Sequence, residues 1–574
     1  MIGPCRRFTS ARPLLLKETI VYMRKKTTII LVFLMIAVCG SASTRSLNEK
    51  KKIAESYLFA GNTRADRGDL RVLVEKESLS ILGNEQYGFV IINNDDQFPA
   101  VIGYSQSAFD TMPPALEWYI DAANKSIQAS INSGAYYDLI PPSGDFPSSV
   151  NSLVTTTWDQ GNPYNKFCPG GNGSTSRLYP TGCVATALAQ IMNYHKYPKR
   201  GIGDHQYSFK PADGDGRILS ANFGETYYDW GNMLDDYSKG YTDEQADAVA
   251  TLMLHCGVAV EMGYTASGSG SYGQEACLGI KKFFGYNKNA RLYSRNYYTA
   301  QSWMQLVYNE LNNNRPIYYA GSSESSGGHA FVIDGYNQDG MVHVNWGWGG
   351  KSNGMFDISL LNPTGYEFSA SQDMILGMCD STINIPYESQ VGARELSFTF
   401  YGSTTKRVTI SASVIDAAAE KFNGSIACIL ENNDTTIVLK RKDDITLKPI
   451  TDGTGFYTSV SLTSINLSNI PDGKFHLYVG SMAADDYKWQ LVRPYEGSVY
   501  SYIIEKNGDD ITWTEDYSDM WAISSTTTTG ISPVRMNSGP SAKYIYDLRG
   551  RNLGTDASAL PKGVYIIDGK KVVK

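Results

Sequence analysis

The chain has 574 residues, of which 42% are hydrophobic and 19% are charged, a globular composition rather than that of a disordered protein. Its 51 basic and 58 acidic residues give a formal net charge of −7, so nothing favours nucleic acid or an anionic membrane as the main partner. A chain of this length predicts three or four domains rather than one.

The first feature along the chain is an apolar run, 28–39, which follows three basic residues and precedes a group of small ones. The run is too short to span a bilayer comfortably, and the whole pattern is typical of a secretory signal peptide, which we predict over 1–43. Translation could instead start at Met23. Lipid attachment at Cys39 is the alternative to cleavage, but Val38 is larger than the residue that usually precedes a lipidated cysteine. We therefore expect a secreted or cell-surface protein, with no transmembrane segment.

The remaining chain divides into segments with different helical and strand patterns, and the predicted fold class is α+β. Residues 44–149 combine helical and strand patterns and end in an exposed run rich in proline and glycine. Residues 150–388 form the largest predicted domain. Alternating residues over 389–505 predict a β-sandwich, followed by a linker at 506–540 and a strand-rich tail at 541–574.

Six cysteines remain after the predicted signal peptide, without close pairs and without C-x-x-C spacing. They indicate neither a disulfide framework nor a metal site, and no cofactor is predicted. Most fit the role of a small buried apolar residue. They are Cys168, Cys183, Cys256, Cys277, Cys379 and Cys428.

Cys183 has a distinctive setting, because it follows Thr181-Gly182 and opens a segment with helical spacing. We predict that it lies at a helix N-terminus, where free N–H groups and the helix dipole lower the pKa of a thiol. A thiolate is the nucleophile that covalent acyl transfer requires. Taken alone, a cysteine at a helix end is more often a packing residue.

His329 is the candidate base, since it follows a pair of glycines that would let a substrate backbone approach. It opens the first strand of a predicted hairpin. The predicted register places Asn345 opposite Ala330 and Trp346 opposite His329, and a shift of two residues would keep the same faces. A Cys–His pair needs a third group that orients the imidazole, and Asn345 or Trp346 could supply it.

Three further local patterns were weighed. Gln160 lies in a polar turn before the nucleophile and could form an oxyanion hole with the backbone N–H of Cys183. The run GSGSYG at 268–273 matches a dinucleotide-binding pattern, but no acidic residue follows between 276 and 309, so we predict a flexible loop on the rim of a cleft. Thr242 and Gln245 have the spacing of a capping box at a helix start.

The segments QGNPYN, TGCVATALAQIMNYHKYP and GGHAFVIDGYNQDGMVHVNWGWGG resemble the streptopain family of secreted bacterial cysteine proteases. The similarity covers roughly 150–385 and implies a papain-like fold. It also implies an apolar preference for the second substrate residue before the cut. The implied roles are Cys183 as nucleophile, His329 as general base and acid, Gln160 in the oxyanion hole, Asn345 or Trp346 positioning His329, Trp348 walling the cleft, and Gly328 and Ser269 contacting the substrate backbone.

The flanking segments carry resemblances of their own. Residues 44–149 resemble the inhibitory propeptide of the same family, which implies a zymogen that is cleaved between about 141 and 153. The tail at 541–574 resembles a C-terminal sorting domain of the type IX secretion pathway. The implied partners are protein or peptide substrates, the chain's own propeptide as an intramolecular inhibitor, and a secretion apparatus that reads the tail.

The favoured function is therefore a secreted cysteine endopeptidase that is made as a zymogen. An amidase or a transpeptidase on the same fold would use the same residues. A surface binding or adhesive protein with a vestigial peptidase domain is the alternative from another class. The complete set of Cys183, His329, Gln160 and Asn345 argues against that alternative, because an inactive descendant usually loses one member.

Overall fold

A computed structural model describes most of the chain. The described residues are 44–59, 69–171, 177–210, 216–323, 327–361, 371–402, 406–418, 420–448 and 457–523, with the backbone of three strands between 545 and 573. The predicted signal peptide at 1–43 and the residues around the polar run at 524–530 lie outside this part of the chain. The chain forms two compact units, divided after Ser524.

Six α-helices occur within the described residues of the first unit. The Thr242 side chain accepts from the backbone N–H of Gln245, whose own side chain accepts from the backbone N–H of Thr242, which confirms the predicted capping box. The helices are α1 (Leu47–Leu58), α2 (Pro114–Ser133), α3 (Cys183–His195), α4 (Asp243–Ala259), α5 (Gly273–Phe284) and α6 (Ala300–Asn312). None of the described helices is long and apolar enough to cross a membrane.

One sheet of ten strands runs through the first unit, in the order β1-β2-β3-β4-β11-β10-β9-β8-β12-β7, and β5 and β6 form a separate hairpin. The strands are β1 (Arg71–Glu75), β2 (Leu79–Asn84), β3 (Gly88–Asn93), β4 (Val101–Ser105), β5 (His205–Phe209), β6 (Arg217–Ala221), β7 (Arg291–Ser294), β8 (Ile317–Ser323), β9 (Gly327–Tyr336), β10 (Val342–Asn345), β11 (Gly354–Phe356) and β12 (Ser371–Leu376).

The N-terminal segment 44–149 shares this sheet with the segment predicted as the peptidase domain. Strand β4 pairs antiparallel with β11, where Tyr104 lies opposite Met355. The backbone N–H of Asp357 donates to the carbonyl of Ile102 at 2.8 Å, and the Tyr119 hydroxyl donates to the carbonyl of Asp357 at 2.8 Å. The two segments are therefore joined by backbone pairing as well as by side-chain packing.

The sheet separates two hydrophobic cores, because successive residues of a strand point to opposite faces. On one face Ala330 and Val332 of β9 pack with α3, α4 and α5. On the other face Phe331 and Ile333 pack with α2 and α6. Strand β9 therefore packs on one face against the helix that carries Cys183 and on the other face against the N-terminal segment.

Asp357 is a buried carboxyl group where the N-terminal segment meets the rest of the unit. Its Oδ1 accepts from the backbone and hydroxyl of Ser359, while no described group bonds to Oδ2. Burial raises the pKa of Asp357 to about 6. Since the folded state favours the neutral acid, this residue's contribution to stability is present below about pH 4 and is lost as the pH rises through about 6.

We therefore expect Asp357→Asn to stabilise the full chain above pH 7, by up to about 3 kcal/mol, and to leave its stability unchanged near pH 4. Thermal unfolding of the wild type and the variant across pH 4–8 measures the difference in stability. The other titrating groups are the same in both chains, so their effects cancel in this difference. A difference that does not vary with pH would show that Asp357 does not titrate in this range.

The β-sandwich extends further than predicted. Strands β21 and β22 pair from Ser501 to Asp516, so the predicted linker at 506–540 is wrong for its first part, where a sheet strand continues the domain. The two sheets have the orders β17-β14-β13-β20 and β16-β15-β18-β21-β22, with β19 beside β18. The strands are β13 (Val391–Tyr401), β14 (Arg407–Asp416), β15 (Phe422–Glu431), β16 (Thr436–Leu447), β17 (Thr458–Asn466), β18 (Gly473–Ala483), β19 (Gln490–Leu491), β20 (Arg493–Pro494), β21 (Ser501–Asn507) and β22 (Asp510–Asp516).

The sandwich is held against the start of α6 by buried charges. Asp519 is fully buried, pairs with Arg493 and accepts from the hydroxyls of Thr299 and Ser302, each at 2.7 Å. Arg295, also fully buried, forms a two-pronged ion pair with Glu496 of the sandwich. Buried charges of this kind need fixed partners, so they hold the two domains in one arrangement.

The second unit is described only as backbone strands. They are β23 (Ile545–Asp547), β24 (Val564–Ile567) and β25 (Lys570–Val573), which form one antiparallel sheet. The predicted strand character of the tail is confirmed there.

Candidate active site

Helix α3 begins at Cys183, as predicted, and a turn at Gly182 sets its position. Gly182 has a φ of +91°, and a Cβ at this residue would lie 2.8 Å from the side chain of Met262 and the carbonyl of Ser269. Only glycine fits this turn without displacing its neighbours. The turn therefore delivers the Cys183 side chain to the N-terminal end of the helix.

Burial raises the pKa of the Cys183 thiol in this structure, whereas the sequence predicted a lowered value. Hydrogen bonds from the backbone of Ala330, Val184 and Cys183 itself act in the opposite direction but are the smaller effect. The prediction was wrong for this state because it counted the helix terminus and omitted desolvation. The contact with Ala330 brings the sulfur beside the residue that follows His329.

His329 borders the same cleft as Cys183 but belongs to the other face of β9. It pairs with Gly321 of β8, and a Cβ on Gly321 would lie 2.2 Å from the ring of Trp118 in α2. Phe331, two residues further along the strand, packs with Trp118. Strand alternation therefore puts the His329 side chain on the face that α2 covers, while Cys183 lies against the face of Ala330.

Asn345 does not orient His329 in this structure, contrary to expectation. Its amide donates to the carbonyl of Thr156 at 2.8 Å and to Oε1 of Gln190 at 3.1 Å, and its Oδ1 accepts from the N–H of Gly347. These partners come from distant parts of the chain and use its hydrogen-bonding capacity. Asn345 faces Val332 rather than Ala330, a shift of two residues from the predicted register that keeps the predicted face.

The two tryptophans of this segment, Trp346 and Trp348, both pack on the core that includes α2. Trp346 packs against Phe331 on the α2 side, with ring centroids 4.9 Å apart, and its indole N–H donates to the carbonyl of Ser352. Trp348 packs on the core beneath α2 and is not among the residues that line the cleft in the described structure.

The other predicted residues lie around the nucleophile. The carbonyl of Gln160 accepts from the N–H of Thr181 at 3.0 Å, which holds the polar turn beside the start of α3. Gly328 lines the cleft, as expected for a residue that meets the substrate backbone. Ser269 is buried, and its hydroxyl donates to the carbonyl of Pro180, so its side chain supports the Gly182 turn.

A cleft of about 790 Å³ contains Cys183 and His329. The loop predicted as its rim is confirmed there, since residues 270–273 line it. Sequence reasoning missed two wall residues on other strands, Tyr318 of β8 and Asp373 of β12. No local pattern marks them, because strand order alone brings them to the cleft.

The chain is similar in sequence to proteins of one known peptidase family. The peptidase C10 family matches residues 158–356, and streptopain of Streptococcus pyogenes is 34% identical over 349 residues, which span 55% of this chain and 86% of streptopain. The chain belongs to the peptidase C10 family. It is a cysteine-type peptidase of the streptopain family, and its fold class is α+β, as predicted.

Two further C10 relatives match parts of the chain. The thiol protease/hemagglutinin PrtT of Porphyromonas gingivalis is 36% identical over 317 residues, and the match covers 51% of this chain but only 36% of PrtT. A fragment of prointerpain A of Prevotella intermedia has 42% identity and a TM-score of 0.50, with 54% of this chain and 99% of the fragment covered.

Proposed function

We propose that the chain is a secreted endopeptidase, made as a zymogen, in which Cys183 is the nucleophile and His329 the general base and acid. The observation that carries the proposal is the position of Cys183 at the N-terminus of α3, against the backbone of Ala330 and in the same cleft as His329. Acyl transfer requires a thiol paired with an imidazole, and a turn of the His329 side chain toward Cys183 within this cleft would complete that pair.

The proposed reaction has two steps. The Cys183 thiolate attacks the carbonyl carbon of the scissile bond, and as the C–N bond breaks, the imidazolium of His329 gives its proton to the leaving amine. His329 then takes a proton from water, whose oxygen attacks the thioester, and the S–C bond breaks to restore the thiolate. Gln160 and the N–H of Cys183 would stabilise the oxyanion formed in each step.

The N-terminal segment 44–149 supports the zymogen proposal. Its helix α2 covers the face of β9 to which His329 belongs, and its strand β4 continues the central sheet. While α2 remains in place, His329 is held on the face opposite Cys183 and the thiol has a raised pKa. Removal of the segment would free His329 to turn toward the sulfur, where an imidazolium would lower the pKa of the thiol.

The hydrogen bonds of residues 150–154 support a cleavage site that lies before them. The N–H of Leu153 donates to the carbonyl of Asp334, and the N–H of Val154 to its carboxylate at 2.8 Å, while Val150 pairs with Tyr336. These bonds bind the chain from 150 onward to β9. Residues 143–149 are mostly exposed, so we propose that activation cleavage falls there rather than at 150–153.

Alkylation of Cys183 tests the zymogen proposal. At pH 7, iodoacetamide should modify Cys183 at least about tenfold faster after removal of residues up to about 149 than in the full chain, because the thiol becomes exposed and paired with His329. Peptide mass spectrometry measures the rate. The processed His329→Ala variant is the control and should remain slow. Equal rates in the full and processed chains would contradict the proposal.

Digestion of casein tests the peptidase itself. The wild-type chain under reducing conditions should shorten at 143–149 and degrade casein. A processed, folded chain that cleaves no protein would contradict the proposed activity.

We also propose, from the sequence, that the signal peptide at 1–43 exports the chain and that a type IX apparatus recognises the tail.

A further inference from the structure

The cleft of the proposed peptidase has a carboxylate in its wall. Asp373 lies on β12 between Ser294 of β7 and Ala320 of β8, and it lines the same cleft as Cys183. Its pairing with Ala320 places it on the active-site face of the sheet. The side chain is largely buried, so its charge is poorly solvated.

Asp373 and the nucleophile line one cleft and have a common neighbour in Tyr318. Tyr318, two residues from Ala320 on the same face of β8, also lines the cleft. Burial is the main cause of its raised pKa, and the charges of Cys183 and Asp373 add to that effect. Tyr318 is therefore a common neighbour of the nucleophile and the carboxylate. A substrate side chain that extends from the scissile region along Tyr318 would reach Asp373.

No cation neutralises Asp373 within the part of the chain that the structure describes. Its polar neighbour is the hydroxyl of Ser294, and burial raises the pKa of the carboxyl to about 6. The two arginines at the edge of the sheet, Arg291 and Arg295, are engaged with Glu420 and Glu496. A largely buried carboxylate without a counter-ion is costly, and a cationic ligand would relieve that cost.

The rest of the cleft suits a long cationic side chain. Its described lining includes two more acidic residues, Glu261 and Glu275, and no lysine or arginine. Apolar groups of Val184 and Val260 lie in the same wall and can pack along methylene groups. The combination of apolar walls and an acidic end matches arginine or lysine better than leucine or valine.

We propose that Asp373 is a specificity-determining residue that makes this cleft accept an arginine or lysine side chain of the substrate. The carboxylate would pair with the charged head of that side chain while its methylene groups lie along the apolar wall. The inference rests on the proposed peptidase function. It differs from the apolar preference that the family resemblance implies.

A peptide library tests the proposal. The full chain, matured by its own cleavage, is incubated with peptides of equal length that carry arginine, lysine, leucine or valine at each position around the scissile bond. Wild type should favour arginine or lysine at one position. Asp373→Asn should lower the ratio of kcat/KM for the arginine peptide to that for the leucine peptide by about 10- to 100-fold.

Control variants distinguish a change in pocket specificity from a loss of folding and from a change in overall charge. Asp373→Asn and Asp373→Ser should both still cleave the leucine peptide, which shows that they are folded. Asp247→Asn should leave the arginine-to-leucine ratio within about twofold of wild type, because Asp247 is not among the residues that line the cleft and its side chain is 51% exposed.

Either of two results would overturn the assignment: a wild type that selects only apolar side chains at every position, or an arginine preference that survives in Asp373→Asn. If the processed wild type cleaves no peptide of the library, apolar ones included, the proposed function itself fails and the pocket assignment falls with it.

Discussion

Cys183→Ala should lower kcat/KM for protein substrates by at least about 10³-fold and should leave the chain at full length, because the acyl group then has no nucleophile to accept it. Digestion of casein and chain mass on a gel measure both effects. The variant is expected to fold normally, since the side chain is only partly buried and the change removes one sulfur atom.

A matched cysteine elsewhere supplies the control for this prediction. Cys428 is buried in the core of the β-sandwich, away from the cleft. Cys428→Ala should leave kcat/KM within about twofold of wild type, since distant sites act independently. Activity that persists in Cys183→Ala, or that disappears equally in Cys428→Ala, would contradict the assignment of the nucleophile.

Asp519→Ala should destabilise the chain by about 3–5 kcal/mol, because it leaves the buried guanidinium of Arg493 without its partner and removes the acceptor of two hydroxyls. The midpoint of thermal unfolding measures the effect. The result would show that the contacts of Asp519 with Arg493 and with the start of α6 stabilise the chain.

An exposed ion pair in the sandwich provides the comparison. Lys474 and Glu505 lie 3.0 Å apart, with side chains 67% and 58% exposed. Glu505→Ala should change stability by less than about 1 kcal/mol, because water screens this pair. If Asp519→Ala unfolds at the same temperature as Glu505→Ala, the buried contact does not hold the two domains together.

Local signals in the sequence predicted the elements that depend on near neighbours. The start of α3 at Cys183 follows from the glycine turn and the helical spacing after it. The capping box of Thr242 and Gln245 involves two residues of one helical turn. In each case the deciding interactions lie within a few residues, so the sequence pattern contains them.

Interactions between distant segments could not be predicted in the same way. The hairpin register differs from the predicted one because β9 continues to Tyr336, so the chain turns later than expected, and an irregularity between His343 and Val344 then reduces the difference from three residues to two. Asn345 is occupied by Thr156 and Gln190, which only the folded chain brings together. The same limit explains why Asp373 was missed, since the order of β7, β12 and β8 in the sheet is not a local property.

The sequence also did not predict the raised pKa of the thiol or the position of α2 over the His329 face. A helix N-terminus predicts a lowered thiol pKa, but desolvation of the partly buried Cys183 thiol is the larger effect and raises the pKa. The pairing of β4 with β11 joins the N-terminal segment to the sheet, and this pairing brings α2 over the face of His329. No sequence pattern near Cys183 or His329 indicates that α2 covers this face of β9.

Intact-mass spectrometry of an acid-quenched reaction tests the central claim most directly. The processed wild-type chain is mixed with a peptide ester, quenched during the first turnover and digested to locate any adduct. We predict the acyl group of the substrate on Cys183, and its absence in Cys183→Ala. Rapid cleavage of the ester without an adduct, at the same rate in both chains, would contradict the account.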